Sequence, residues 1–183
     1  MPTAIILAAG TATRFGGQKL LALLEGKPLI AHVVAAVAHL PTVVVGPPEL
    51  EPHIYPARLV ENLAPERGMA HSLRLANATV DVNEAILVLL ADMPYITRNL
   101  IDRILATGAN HDVAYPVRNE IVGHPVRFSA TARLRIAALP DGDTIKSLRD
   151  APDLTVARLA TDDLGAYRDI DTQHQAGEAG ITL

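Results

Sequence analysis

Short apolar runs alternate with amphipathic stretches over the first two thirds of this chain. Four apolar runs have the length of strands, at residues 3–9, 42–46, 58–62 and 85–91. Such runs, rich in Val, Ile and Leu, are typical of strands that are buried on both faces of a sheet. Three segments between them have the spacing or the start signals of helices, at residues 28–40, 68–79 and 97–107. The alternation predicts an α/β fold in which a mostly parallel, mixed sheet is flanked by helices.

The last third of the chain has a less regular pattern. Strands are predicted over residues 112–116 and 121–128, on either side of a turn. Pro125 should place the second of them at a sheet edge or at a bulge, because proline cannot donate a ladder hydrogen bond. Helices are predicted over 129–139 and 144–150, and a final strand over 154–159. No linker or repeat interrupts the chain, which predicts a single domain over residues 1–183.

Composition narrows the classes of function. With 183 residues, 49% of them hydrophobic, the chain is large and apolar enough to form a buried core. A net charge of -4 and 3% aromatic residues argue against a nucleic-acid partner. The absence of cysteine excludes disulfides and thiolate metal sites and fits a reducing compartment. The apolar start lacks a charged leader and is too short to cross a membrane, so we expect a cytoplasmic protein without a membrane partner.

The first apolar run leads into a turn that combines glycines with cations: Gly10, Arg14, Gly16, Gly17 and Lys19. Backbone amides and basic side chains in this arrangement are suited to a polyphosphate. The turn is not a Walker loop, because Leu20 stands where a hydroxyl residue would follow the lysine. It is not a dinucleotide fingerprint either, because Ala12 replaces the second glycine. The alternative is an ordinary tight turn with two solvated cations.

Carboxylates supply the second candidate chemistry. Asp92 follows the long apolar run 85–91, at the sheet edge where ligands gather in open α/β sheets, so it should share a crevice with Gly10. Near the C-terminus, Asp169 and Asp171 stand on alternate residues, and either is able to supply a further oxygen ligand for Mg²⁺. The alternatives are a turn or capping role for Asp92 and a helix-capping role for Asp171.

These elements together resemble a known family. The segments are Leu-Ala-Ala-Gly-x-x-x-Arg-Phe-Gly-x-x-Lys from Leu7 to Lys19, Leu-Ala-Asp-Met-Pro from Leu90 to Pro94, and Asp-Ile-Asp-Thr from Asp169 to Thr172. They resemble the nucleotidyltransferases of the molybdopterin guanylyl- and cytidylyltransferase-like family. The resemblance implies a single-domain, Rossmann-like nucleotidyltransferase fold. It implies a nucleotide-binding half over residues 1–100 and an acceptor-binding half over residues 101–183.

The resemblance also implies roles for individual residues. Arg14 and Lys19 would hold the phosphates, and Asp92, with Asp171, would bind Mg²⁺. The base and ribose would lie against the backbone of the strand end, at Leu7, Ala8, Ala9 and Gly10. Gly68 and Ser72 belong to a segment that is similar to the Gly-Met-x-x-Ser-Leu-Arg element of the cytidylyltransferase branch, so they should contact the nucleotide. His124, in Gly-His-Pro-Val, is similar to an element near the pterin-side pocket and should contact the acceptor.

The branch and the reaction follow from the same resemblance. Ala9 favours the cytidylyl branch, because the guanylyl branch has glycine at this position, whereas residues 142–146 depart from that branch's usual Gly-Asp-x-Gly-Ala-Arg. The implied reaction transfers CMP from CTP to the terminal phosphate of molybdopterin, with Mg²⁺ as cofactor and a molybdoenzyme or its chaperone as partner. Two alternatives stay open: use of GTP or of a sugar phosphate or other phosphorylated metabolite, and a non-catalytic nucleotide- or cofactor-binding assembly protein.

Overall fold

The computed structural model describes residues 1–10, 19–171, 175 and 180–181. Its strands are β1 Thr3–Leu7, β2 Leu23–Leu24, β3 Lys27–Pro28, β4 Thr42–Gly46, β5 Arg58–Glu61, β6 Ile86–Leu90, β7 Val113–Arg118, β8 Ile121–Val122, β9 Val126–Phe128 and β10 Val156–Ala160. Its α-helices are α1 Leu29–Ala36, α2 Met69–Asn77, α3 Arg98–Thr107, α4 Ala130–Arg133 and α5 Ile145–Arg149. Short 3-10 turns lie at Lys19–Leu21, Pro48–His53, Pro65–Arg67, Leu134–Ala138 and Leu164–Ala166.

One eight-stranded sheet organises these elements. Its order is β10-β7-β9-β6-β1-β4-β5, with β8 paired to β7, while β2 and β3 form a separate hairpin. The central strand β1 runs parallel to both β4 and β6, so that Ile5 lies opposite Val43 on one side and Val88 on the other. In contrast, β9 is antiparallel to both of its neighbours. The parallel strands therefore all end at one edge of the sheet.

Both faces of the sheet are covered, which explains the continuous apolar runs of its strands. Ala4 and Ile6 of β1 belong to the core on the side of α1 and α3. Ile5 and Leu7 alternate with them and belong to the core on the side of α2 and α5. The single domain and the mostly parallel, mixed sheet confirm the fold class that the sequence predicts.

The bounds of α3 illustrate how local sequence fixes an element. Thr97 precedes the helix, and its Oγ1 accepts a hydrogen bond from the backbone N of Leu100 at 3.2 Å. Gly108 follows the helix. A Cβ at that position would lie 2.6 Å from Cδ of Arg127 and 2.7 Å from Cβ of Ala114, so glycine is required by close packing against the sheet.

The prediction for Pro125 is wrong in its placement. Residues 121–128 form two strands instead of one, and the second, β9, lies inside the sheet between β6 and β7. The strand is interrupted at residues 123–125, and pairing with β6 begins opposite Val126. Because Pro125 lies before the first paired residue, it has no ladder hydrogen bond to donate and is tolerated beside an internal strand.

None of the helices in the described ranges combines the length and the apolar character that a bilayer-spanning helix needs.

A buried arginine closes the connection between α2 and β6. Arg133 is 3% exposed. Its guanidinium donates to Asn77 Oδ1 at 2.8 Å and to the carbonyl oxygens of Asn77 at 2.9 Å, Val80 at 3.0 Å and Glu84 at 3.1 Å, and it also donates to the carbonyl oxygen of Asp81. One side chain from α4 thus satisfies the carbonyl groups of a whole loop.

Replacing this side chain should destabilise the fold. In Arg133→Met the loop carbonyls lose their donors inside the protein, and we expect the free energy of unfolding to fall by about 3 kcal/mol, measured by urea denaturation. Arg135→Met is the matched control, because Arg135 is exposed and pairs with Asp153 at the surface. Equal midpoints for the two variants would contradict a structural role for Arg133.

Candidate active site at the carboxyl edge of the sheet

A cavity of about 500 Å³ lies at the carboxyl ends of β1 and β6. The two strands end in register, with Leu7 opposite Leu90, and the backbone N of Ala91 donates to the carbonyl of Leu7 at 3.1 Å. The segments that follow the strands therefore leave the sheet side by side. The cavity is lined by Leu7, Ala8, Ala9, Gly10, Lys19, Leu20, Pro65, Gly68, Met69, Ser72, Leu90, Ala91, Asp92 and Asp171.

Lys19 joins two carboxylates at the floor of this cavity. Its Nζ lies 2.8 Å from Oδ2 of Asp92 and 2.8 Å from Oδ1 of Asp171. Lys19 is only 7% exposed, although its two partners are open to the solvent to a larger degree. A buried ammonium needs such partners, because an unpaired charge in the interior is costly.

The electrostatics of the pair follow from burial and from mutual charge. Burial by itself lowers the pKa of Lys19, but the hydrogen bonds to Asp171 and Asp92 and the charges of both carboxylates outweigh it, so the pKa lies above its usual value. For Asp169, burial followed by the charges of Asp171 and Asp92 raises the pKa of the carboxyl group. Three carboxylates thus approach one another here, and Lys19 is the cation between two of them.

The C-terminal segment is held at this site by a buried side chain. Ile170 is fully buried in a small cluster with Ala22, Leu24 and Leu29, next to the β2–β3 hairpin. Its backbone N donates to the carbonyl of Asp92 at 3.0 Å. The next residue, Asp171, is therefore delivered to Lys19 by the packing of its neighbour.

Asp92 has an oxygen that is suited to a metal. Its Oδ2 pairs with Lys19, whereas its Oδ1 is buried and has no hydrogen-bond partner among the described residues. Those residues contain no group of three or more ligand side chains. A pair of carboxylates still fits Mg²⁺, which is commonly held by one or two carboxylates together with waters and substrate phosphates.

The N-terminal end of α2 forms another wall of the cavity. Gly68 precedes the helix with φ 87°, a backbone conformation that favours glycine. Ser72 is buried, and its Oγ accepts a hydrogen bond from Nδ2 of Asn62 at 2.9 Å. Asn62 also accepts from the backbone N of Ala64 at 2.9 Å, so it connects the end of β5 with the helix. The sequence analysis did not single out Asn62, although an amide directly after a parallel strand is a usable signal.

A surface loop packs beside this wall. The backbone N of Gly142 donates to the carbonyl of Arg67 at 3.2 Å, and the backbone N of Ala70 donates to the carbonyl of Asp143 at 3.2 Å. Asp141 accepts hydrogen bonds from Arg67 at 2.8 Å and from Arg74, and these bonds lower the pKa of its carboxyl group. The segment that departs from the cytidylyl pattern is thus stapled to the chain's own arginines.

The structure brings together most of the residues that the sequence singles out. Nine of them line the one cavity: Leu7, Ala8, Ala9, Gly10, Lys19, Gly68, Ser72, Asp92 and Asp171. Arg14 and Thr172 lie outside the described residues. The backbone N of Ala8 already donates to the carbonyl of Val45 at 2.8 Å, so Ala8 is able to offer a ligand its carbonyl but not its amide.

His124 is not part of the cavity lining. It lies next to β6 and β7, where the backbone N of His124 donates to the carbonyl of Ala166 at 2.8 Å. Burial lowers the pKa of its imidazole from 6.5 to about 4, against the opposing effects of the Val88 carbonyl and of Asp92. Its Nδ1 is buried without a partner among the described residues. The ring is therefore neutral near pH 7 and offers a ligand a hydrogen bond, not a positive charge.

With the site described, comparison with known proteins assigns the family. The sequence matches the MobA-like NTP transferase domain over residues 4–156, which is most of its length. The chain belongs to this family. The resemblance stated from the sequence motifs is thereby confirmed at the level of the family, while the cytidylyl branch stays a prediction.

Individual relatives are more distant. The chain is 30% identical over 183 aligned residues to the bifunctional protein GlmU of Rhizorhabdus wittichii, covering 94% of this chain and 36% of that protein. It is 36% identical over 138 residues to a molybdenum cofactor guanylyltransferase of Neisseria meningitidis serogroup C, covering 66% of this chain and 68% of that protein. The chain thus spans about a third of the GlmU relative's length.

Solved structures share the MobA-like fold. The crystal structure of Rv0371C from Mycobacterium tuberculosis H37Rv in complex with manganese superimposes with a TM-score of 0.79 at 23% identity, covering 97% of this chain and 96% of that one. At this identity the likeness establishes the fold.

The neutral state of His124 predicts a pH-dependent stability. Because the unfolded chain binds the proton at a higher pH than the folded one, the free energy of unfolding should fall as the pH is lowered from 6.5 to about 4. In His124→Gln this fall should be smaller than in the wild type by roughly 2–3 kcal/mol, measured by urea denaturation across that range. His53→Gln, at an exposed position, is the control. Identical pH profiles for His124→Gln and the wild type would exclude a buried neutral imidazole.

Proposed function

We propose that the protein is a divalent-metal-dependent nucleotidyltransferase that transfers CMP from CTP to the terminal phosphate of molybdopterin and releases pyrophosphate. The observation that carries this proposal is the contact of Lys19 with Asp92 and Asp171 at 2.8 Å each, on a cavity formed by the ends of β1 and β6. A cation, two carboxylates and a strand-end cavity are the parts that handling of a nucleoside triphosphate requires.

In this proposal the basic residues hold the leaving group. Lys19, together with Arg14, binds the β- and γ-phosphates and stabilises the negative charge that grows on pyrophosphate as it departs. Residues 68–72 contribute the N-terminal end of α2, where backbone dipoles favour an anion. Gly68 and Ser72 contact the nucleotide from this side, and Leu7, Ala8, Ala9 and Gly10 contact base and ribose from the other.

Asp92 and Asp171 would hold the divalent ion. The buried Oδ1 of Asp92, which has no described partner, is the first oxygen that suits it. The manganese in the structure of Rv0371C, a protein with the same fold, supports a metal of this class, and Mg²⁺ is the ion we propose here. When bound, the ion would neutralise charge on the α-phosphate.

The reaction itself needs no protein nucleophile. A terminal phosphate oxygen of the acceptor attacks the α-phosphorus of CTP, a new P–O bond forms, and the bond from that phosphorus to the bridging oxygen of pyrophosphate breaks. The residues of the chain position the two phosphates in line and balance their charge, which is the principal requirement of phosphoryl chemistry.

The acceptor is assigned to the second half of the chain. Residues 1–100 supply most of the cavity lining, and we assign residues 101–183 to acceptor binding, with Asp171 reaching across to the nucleotide half. His124 would donate or accept a hydrogen bond with the acceptor through its Nδ1. Molybdopterin is favoured because a Neisseria relative is a molybdenum cofactor guanylyltransferase. A molybdoenzyme or its chaperone would receive the product.

The same relative supports a second candidate, transfer of GMP from GTP. Its name specifies guanylyl transfer, whereas Ala9 in this chain favours CTP. A sugar phosphate or another phosphorylated metabolite is the corresponding alternative for the acceptor, because nucleotide and acceptor contacts come from separate parts of the cavity.

Removing the proposed metal ligand tests the site. In Asp92→Asn the side chain keeps its size but loses its charge, and we expect kcat to fall by about 10²–10³, measured as pyrophosphate release. The control is Asp102→Asn on α3, which removes an exposed carboxylate that pairs with His39 and Arg98. A properly folded Asp92→Asn variant with wild-type turnover would refute the assignment of Asp92.

A substrate matrix tests the reaction. Pyrophosphate release is measured with CTP, GTP, ATP and UTP, each combined with molybdopterin or with a set of sugar phosphates, in the presence of Mg²⁺. We expect the highest kcat/KM with CTP and molybdopterin. Preference for GTP would establish the second candidate, and preference for a sugar phosphate would replace the acceptor. Binding of CTP without pyrophosphate release from any pair would favour an assembly protein.

A further inference from the structure

The position of Lys19 creates a conflict at the proposed metal site. Its ammonium contacts Oδ2 of Asp92 and Oδ1 of Asp171, and these are the two carboxylates that would bind a divalent ion. Asp92 has one further oxygen without a described partner, so a divalent ion has somewhere to bind. An ion placed there would lie next to a buried positive charge.

Charge decides which cation the carboxylates hold. Like charges at this separation repel strongly in a site that is partly shielded from water, and Lys19 is 7% exposed. A divalent ion also needs the oxygens that the ammonium uses. Because the lysine is covalently attached, its local concentration at the site never falls, whereas a free ion must lose its water and displace the ammonium.

A bound triphosphate would change this balance. Lys19 lines the same cavity as Gly10 and Gly68, so a polyphosphate in that cavity is an alternative anionic partner for its ammonium. Moving the ammonium from the carboxylates to the phosphates frees Asp92 and Asp171 at the moment when phosphate oxygens become available as further metal ligands.

We propose that Lys19 is a built-in counter-ion: without nucleotide it occupies the Asp92–Asp171 pair and keeps divalent ions out, and with nucleotide it moves to the triphosphate and admits the metal. This inference rests on the proposed function, because it takes the two carboxylates as the metal ligands. Metal and nucleotide binding are then coupled, and by linkage each ligand strengthens the binding of the other.

The test measures Mn²⁺ binding to the nucleotide-free protein by electron paramagnetic resonance of the free ion. In Lys19→Met we expect the affinity for Mn²⁺ to rise by roughly 10- to 100-fold over the wild type, because a competing charge is removed. Lys19→Arg keeps the charge and should bind Mn²⁺ as weakly as the wild type. Lys146→Met removes an exposed lysine from the surface of α5 and should also leave the affinity unchanged.

A second measurement uses the wild-type chain alone. Acylation of lysines by a small amine-reactive reagent is followed by mass spectrometry, with the exposed Lys27 and Lys146 as internal references. Lys19 should react slowly in the free protein and faster at saturating Mn²⁺ without nucleotide, because the displaced ammonium is released into the cavity. This measurement does not depend on a variant that folds.

The outcomes separate the inference from the proposed function. Equal Mn²⁺ affinity in Lys19→Met and the wild type, or weaker binding in the variant, would overturn the counter-ion role and leave the metal site in place. Reactivity of Lys19 that does not change at saturating Mn²⁺ would overturn it as well. Failure of every form to bind Mn²⁺, including the wild type loaded with CTP, would overturn both the inference and the proposed metal site.

Discussion

The candidate site depends on one interaction, the placement of the Lys19 ammonium between the carboxylates of Asp92 and Asp171. The three residues come from the segment after β1, the end of β6 and the C-terminal segment, which are far apart in the chain. A buried cation without partners would be costly, and two neighbouring carboxylates without a cation would repel each other. Each segment is therefore held in place by charges that the other two supply.

The sheet makes this interaction geometrically available. Because β1 and β6 are parallel neighbours with Leu7 opposite Leu90, the residues that follow them leave the same edge together. Packing on both faces fixes the register of the two strands, since their alternate side chains belong to two different cores. The C-terminal segment then needs only the buried Ile170 to deliver its carboxylate.

Much of this arrangement could be predicted from the sequence, and the reasons are local. The apolar runs identify β1, β4 and β6, and the rule that ligands gather at carboxyl edges brings Gly10 and Asp92 together. Long-range placement could not be predicted in the same way. Nothing in the pattern around Pro125 indicates that β9 inserts between β6 and β7, because strand order depends on contacts distant in sequence. The hydrogen bonds of Asn62 and the burial of the His124 imidazole follow from tertiary packing.

The reversed direction of β9 separates two kinds of evolutionary freedom. Since β9 runs against its neighbours, it is the beginning of this strand, with His124 just before it, that reaches the edge where the parallel strands end. The excursion from β7 through β8 to β9 leaves and returns within the sheet, paired at Val113 with Phe128. Homologues can exchange such a hairpin as a cassette without disturbing the crossovers that carry β1 and β6. Diversification of the acceptor and retention of the nucleotide chemistry are thereby compatible in one scaffold.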